Sequence, residues 1–204
     1  MTLNKEEVRE RALEIAARLM AAEGSEGLKA RAVAKEAGVS VGTLYNIFGD
    51  LDDLQRLVNM RLLGELGRHS EAAMRDMRAR GVTGVRERLV GLARAYFDFV
   101  RAHATQWQAL LAFNNRIPLA DQPDWYAARF DLLFEIIEEV LRDTPLDANR
   151  TQRDVAARAI WASVHGIVTT GYARRGRMTN EGAEEIWRQI DLLLSVFVRG
   201  LEDG

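Results

Sequence analysis

The chain has 204 residues, a formal net charge of −2 and a hydrophobic content of 48 %, enough apolar material for a sizeable core and without the strongly basic balance of many nucleic-acid binders. It contains no cysteine, which excludes disulfides, thiol catalysis and thiolate metal sites. No apolar run reaches the roughly 18–20 residues needed to span a bilayer, and the charged start MTLNKEEVRERAL has no apolar signal core, so a cytoplasmic protein without membrane contact is expected.

Asn4 followed three residues on by Glu7 has the form of a capping box, and the first helix is expected to start there. Val8, Ala12, Ile15, Ala16 and Leu19 form one apolar stripe, and Gly24 ends it. Residues 28–48, LKARAVAKEAGVSVGTLYNIF, read as two short helices joined by a tight turn. Ala30 to Ala37 forms the first, with Val33, Ala34 and Ala37 on one face. Gly38 stops it, because glycine takes the left-handed conformation without Cβ strain. Ser40 is placed as the N-cap of the second helix, Val41 to Phe48, in which Leu44 and Phe48 face inward at i, i+4 spacing. Val41, Gly42 and Thr43 are short and allow a close backbone approach. This is the helix-turn-helix pattern, whose second helix enters the DNA major groove. An ordinary three-helix corner has the same outline, so pattern alone leaves both open.

The particular residues resemble the N-terminal domain of the TetR family of bacterial transcriptional regulators. The resemblance runs from about Val8 to Leu63 and includes ALEIAARLMAAEG, Gly27-Leu28, Val33-Ala34, Ala37-Gly38-Val39-Ser40, Gly42-Thr43-Leu44-Tyr45, Phe48 and Leu54. It implies that Val41, Gly42 and Thr43 lead the recognition helix into the groove, with Val41 near a thymine methyl and Ser40, the cap, counted among the DNA-binding residues. It further implies phosphate contacts from Thr43, Tyr45 and Lys29, a guanine contact from Arg31, and a base or phosphate contact from Asn46. Two residues depart from the family pattern. Leu51 stands where many members carry a phosphate-contacting lysine, which leaves Arg56 as a candidate substitute. Lys29 stands where a threonine often caps a helix; lysine cannot cap, and its charge opposes the dipole there. All three lysines, Lys5, Lys29 and Lys35, fall in this stretch. DNA contact is expected from a local patch of Lys29, Arg31 and Lys35 with Arg56 or Arg61, giving modest, salt-sensitive affinity.

Gly49-Asp50 breaks the chain before a long helix from Leu51 to about Arg80. Everything after Val82 also reads helical: one helix ending near His103, a shorter one carrying Trp107 to Phe113, a loop from Asn114 to Asp121, and a helix with Pro123 in its first turn. After the loop at Pro145 come a long helix to about Gly176 and a last one through Leu201. All three prolines fall at joints, and no strand pattern is found. The expected fold is all-α: a three-helix DNA-binding domain over residues 1–50 (the family-type domain extends to about 65) and a helical ligand-binding and dimerisation domain over 51–204.

The last two helices have wide apolar faces, and residues 156–171 are rich in Ala, Ser and Gly, which permits close helix approach. A homodimer through a four-helix bundle is expected, as the family forms. Effector contacts are assigned to Trp107, Phe130, Trp161, His165 and Tyr172, since pockets are mostly apolar with a few polar groups, although aromatics at helical spacing equally serve as core. The run WASVHG resembles the C-terminal helix of one TetR subgroup. With no second charged cluster in the predicted pocket, the effector is expected to be a small apolar or aromatic molecule, and no cofactor is expected. An enzyme is not supported: there is no P-loop, Gly-x-Ser-x-Gly or Glu-x-x-His signature, and the three histidines lack metal-ligand spacing. The expected function is a ligand-responsive repressor of double-stranded operator DNA. The alternative is a helical carrier or multidrug binder without a DNA role, which buried or occluded Thr43 and Tyr45 would favour.

Overall fold

A computed structural model describes residues 4–175 and 180–202, with the side chains of 172–175, 180, 181 and 202 outside that description. Nine α-helices and no strand are found among the described residues. The first, α1 (Lys5–Glu23), begins at the capping box read from the sequence: Glu7 N donates to Asn4 Oδ1 and Asn4 N donates to Glu7 Oε2, each at 2.9 Å. A 3-10 turn, Gly24–Gly27, leads to α2 (Ala30–Ala37), α3 (Val41–Phe48) and α4 (Leu51–Ala79). The following helices are α5 (Val85–Ala102), α6 (Ala104–Arg116), α7 (Asp124–Leu141), α8 (Arg150–Arg175) and α9 (Asn180–Glu202).

Two boundaries differ from expectation. The loop expected from Asn114 starts later, because α6 continues to Arg116. Pro123 precedes α7 instead of lying in its first turn; its carbonyl accepts from the Tyr126 and Ala127 amides.

The chain forms two compact units, Met1–Glu65 with Ala102–Arg129, and Leu66–Arg101 with Phe130–Gly204. The expected residue 1–50 head lies inside the first unit, which also takes in α6. In this unit Ala12, Leu13, Ala16 and Met20 of α1 pack with Val33, Ala34, Ala37, Leu44, Phe48, Leu54 and Val58. Gly27 permits the close contact beside α1, since a Cβ there would lie 2.5 Å from the Leu19 carbonyl oxygen. These apolar positions recur at the helical period, so the sequence puts one side of each short helix inward and leaves the other to solvent.

The second unit has its own core, including Leu89, Phe97, Val100, Leu133, Ile137, Ile160, Val164, Ile186 and Leu194. Helices α8 and α9 pack against each other, and Gly171 lets them close, a Cβ there falling 2.2 Å from Ile186 Cδ1. Arg86 of α5 is tied to α9 by bonds to Asp191 Oδ1 at 2.6 Å and Ser195 Oγ at 3.0 Å.

Candidate nucleic-acid interface and aromatic cluster

The turn between α2 and α3 is set by Gly38, at φ 75° and ψ 30°, which lets Val39 N donate to Ala34 O at 2.9 Å. Ser40 then caps α3: its Oγ accepts from Thr43 N at 3.0 Å and lies 2.9 Å from Thr43 Oγ1. Leu44 and Phe48 are buried and anchor α3. Val41 is half-buried against the same core. Gly42, Thr43 and Asn46 are exposed, and Tyr45 keeps 42 % of its surface. A Cβ on Gly42 would meet only Ser40 Oγ, at 3.7 Å, so the outer side of the first turn of α3 is open. Lys29, Arg31 and Lys35 of the α2 segment are exposed. Lys29 occupies the N-cap position of α2 and makes no side-chain cap bond.

The two further arginines considered from the sequence are engaged elsewhere. Arg56 is 12 % exposed and bonds Asp53 Oδ1 and Gln122 Oε1, each at 2.7 Å, with its guanidinium 5.6 Å from the Phe113 ring centre. Arg61 bonds Glu10 Oε2 at 2.5 Å. Arg56 is thus largely buried among partners within the first unit. A shallow groove lined by Tyr45, Gly49, Asp50, Leu51 and Asp52 lies at the α3–α4 junction. Asp52 is gripped by Arg116, whose bonds hold its carboxyl below the usual carboxylate range against the opposing effect of burial.

Also in the first unit, Asn59 Nδ2 donates to Tyr126 Oη at 3.1 Å, and Tyr126 Oη donates to Asn114 Oδ1 at 3.0 Å. Burial pushes the Tyr126 phenol up, so it stays protonated and able to donate. Trp107 is in this unit too, 3 % exposed.

Phe130, Trp161 and His165 belong to the second unit. Trp161 stacks on His165 at 5.5 Å and 14°. The Tyr96 ring meets Trp161 edge-on at 4.9 Å, and Phe134 meets it edge-on at 6.3 Å. Tyr96 Oη lies 2.7 Å from His165 Nδ1, a hydrogen bond whose donor is set by the imidazole tautomer, and burial lowers the imidazole pKa, favouring neutral His165. Phe130 is half-buried. The Tyr172 side chain lies outside the described residues. Sequence reading placed Trp161 and His165 one turn apart but did not pair His165 with Tyr96 or find the Asn59–Tyr126–Asn114 chain. The i, i+4 spacing of Trp161 and His165 was the local signal available; the other partnerships join distant segments. Among the described residues no group of His and carboxylates has the form of a metal site, and no helix is long and apolar enough to cross a membrane.

Comparison with known proteins agrees with this geometry. Residues 12–56 match the family described as bacterial regulatory proteins, tetR family, and residues 89–193 match the tetracyclin repressor-like C-terminal domain. An uncharacterized HTH-type transcriptional regulator of Mycobacterium tuberculosis is 28 % identical over 165 residues, covering 78 % of this chain and 68 % of that protein. Among solved structures, a TetR-family transcriptional regulator from Streptomyces coelicolor superposes with a TM-score of 0.63 at 19 % identity, over 94 % of this chain and 98 % of that one. The regulator FadR from Bacillus subtilis in complex with stearoyl-CoA superposes with a TM-score of 0.61 at 16 % identity, over 91 % and 97 %.

Proposed function

The chain belongs to the TetR family and is a DNA-binding transcriptional regulator, and we propose that it is a repressor that releases its operator when a small apolar or aromatic molecule binds its helical body. The observation that carries the DNA side is the outer face of α3, where Thr43, Tyr45 and Asn46 are exposed while Leu44 and Phe48 hold the helix from behind. A carrier without a DNA role has no use for that exposed face. In this reading Val41, Gly42 and Thr43 enter the major groove, Arg31 and Asn46 reach base edges, and Lys29, Thr43 and Tyr45 hold phosphates. Ser40 contributes as the cap that fixes the first turn.

The effector side rests on the Tyr96–Trp161–His165–Phe134 cluster, an apolar surface with a built-in polar pair, as small-molecule sites require. Phe130, an assigned contact, belongs to the same unit as this cluster, whereas Trp107 belongs to the other. A neighbour of the same fold is seen with stearoyl-CoA, of which only the acyl chain is of the apolar class proposed here. Effector binding releases DNA only through a difference in affinity between the DNA-binding form and another form. A homodimer through α8 and α9 is supported by Val155, Leu192 and Val196, apolar side chains on these two helices that remain 60 %, 64 % and 55 % exposed.

The test is fluorescence anisotropy on labelled DNA from the upstream region of the gene, across a salt series with random DNA as competitor. Specific binding by two protomers per site, or a multiple, is expected. Binding no tighter than to random DNA, followed by a genome-wide selection that yields no enriched site, would overturn the operator-binding reading.

A further inference from the structure

The geometry points to Arg116, at the C-terminus of α6, as a phosphate-contacting residue of the DNA interface, positioned there by Asp52 and Phe113. This rests on the DNA-binding reading and adds to it a residue some seventy positions beyond the recognition helix in sequence.

The groove at the α3–α4 junction is lined by Tyr45, Asp50 and Asp52 among others. Arg116 NH2 donates to Asp52 Oδ1 at 2.6 Å and NH1 donates to Oδ2 at 3.1 Å. Its guanidinium also lies 5.1 Å from the Phe113 ring centre, and Asp50 adds attraction to the same cation. Two-point pairing and the ring fix where the head sits, while the side chain keeps 55 % of its surface. A guanidinium carries five N–H donors in a planar fork. The two bonds to Asp52 leave three donors, a number that allows one arginine to hold a carboxylate and a phosphate together.

The acidic residues around it are accounted for. Asp50 accepts from Asp53 N at 2.7 Å, and Asp53 is paired with Arg56. Arg56 is itself 12 % exposed and held by three partners, so Arg116, at 55 %, is the more exposed of the two arginines paired with these carboxylates. A purely neutralising role for Arg116, cancelling Asp52 without touching DNA, gives a different pattern of variants.

The experiment measures anisotropy on a random-sequence duplex over a salt series for the wild type, Asp52→Asn, Arg116→Ala, Arg116→Lys and Asp52→Asn/Arg116→Ala. Counterion release gives a slope of log K against log salt of about −0.9 per phosphate neutralised. Arg116→Ala is expected to make the slope shallower by about 0.9 per bound protomer, in the wild type and again in the Asp52→Asn background, while Arg116→Lys, which keeps the charge, retains most of it. If Arg116→Ala leaves the slope of the Asp52→Asn protein unchanged, Arg116 only neutralises Asp52 and the inference is overturned. Helicity by circular dichroism checks that each variant is folded; should the alanine variant be unfolded, Arg116→Gln takes its place in both backgrounds. A wild type that shows no salt-dependent binding would instead sink the DNA-binding reading itself, a result distinguishable because every variant would then be flat.

Discussion

Replacing Tyr126 by phenylalanine removes one oxygen from the buried chain that joins α4, α6 and α7 inside the first unit. Tyr126 is 0 % and Asn59 1 % exposed, so neither group can turn to water. The ring contact with Phe113, at 6.1 Å and 74°, survives in Tyr126→Phe, and the volume lost is small, so no cavity of consequence forms. What changes is hydrogen bonding. Asn59 Oδ1 already has no partner among the described residues, and losing the phenol leaves Nδ2 unpaired as well. A buried unpaired donor costs about 1–3 kcal/mol. Asn114 is half-buried and recovers its bond from solvent, so the expected destabilisation is about 2 kcal/mol. The double variant Tyr126→Phe/Asn59→Leu removes the orphaned amide and should regain most of that loss, because replacing both partners by apolar groups of similar shape is close to neutral. Urea unfolding followed by tryptophan fluorescence reads this directly, since Trp107 and Trp125 lie in the same unit; the slope with denaturant should stay constant while the midpoint moves. A change within about 0.5 kcal/mol for Tyr126→Phe, the range of an unremarkable surface substitution, would refute the claim that this chain of bonds is desolvated.

Three further outcomes are expected. Gly38→Ala should destabilise by about 1–2 kcal/mol, the strain of a Cβ at positive φ; no atom lies within 4 Å of the added carbon, so Gly38→Asn should recover part of it in a thermal melt. His165 is held neutral below its ordinary value of 6.5 by burial, so the folded chain binds fewer protons than the unfolded one between the lowered value and 6.5. Its contribution makes stability fall as the pH drops through that window, and His165→Gln should flatten the dependence of Tm on pH there; an unchanged slope would mean that His165 titrates normally. Tyr45→Phe should weaken binding to operator and random DNA alike, whereas Arg31→Ala should alter sequence preference. Equal loss on both DNAs for Arg31→Ala would show that Arg31 does not read bases.

What was legible in the sequence was local. The capping box at Asn4 and Glu7, the left-handed turn at Gly38 and the cap at Ser40 each involve residues three or four apart, so their chemistry shows in the order of letters. The inward faces of α2 and α3 follow from the same short periodicity. The cation pairings were not legible. Arg56 meets Gln122 and Arg116 meets Asp52 only after folding brings together segments more than sixty positions apart, and nothing in either neighbourhood distinguishes those arginines from solvated ones. The end of α6 lies beyond the expected boundary at Asn114, a poor helix residue by propensity whose side-chain amide is engaged by Tyr126. The aromatic candidates divided similarly: Trp161 and His165 are one turn apart and stack, but Trp107 is assigned to a different unit by contacts that the sequence does not display.

The lysines have a practical consequence. Every side-chain primary amine lies within the first 35 residues, and Lys29 and Lys35 stand exposed at the two ends of α2. An amine-acylating reagent therefore labels only the N-terminal segment, and on the proposed DNA contacts, protection of those two sites by bound DNA would give a footprint of occupancy without any engineered tag. The same distribution makes amine coupling a poor way to tether the protein to a sensor surface. On the proposed DNA contacts, attachment through those side chains would turn the interface toward the support and report a weakened regulator whatever its true affinity.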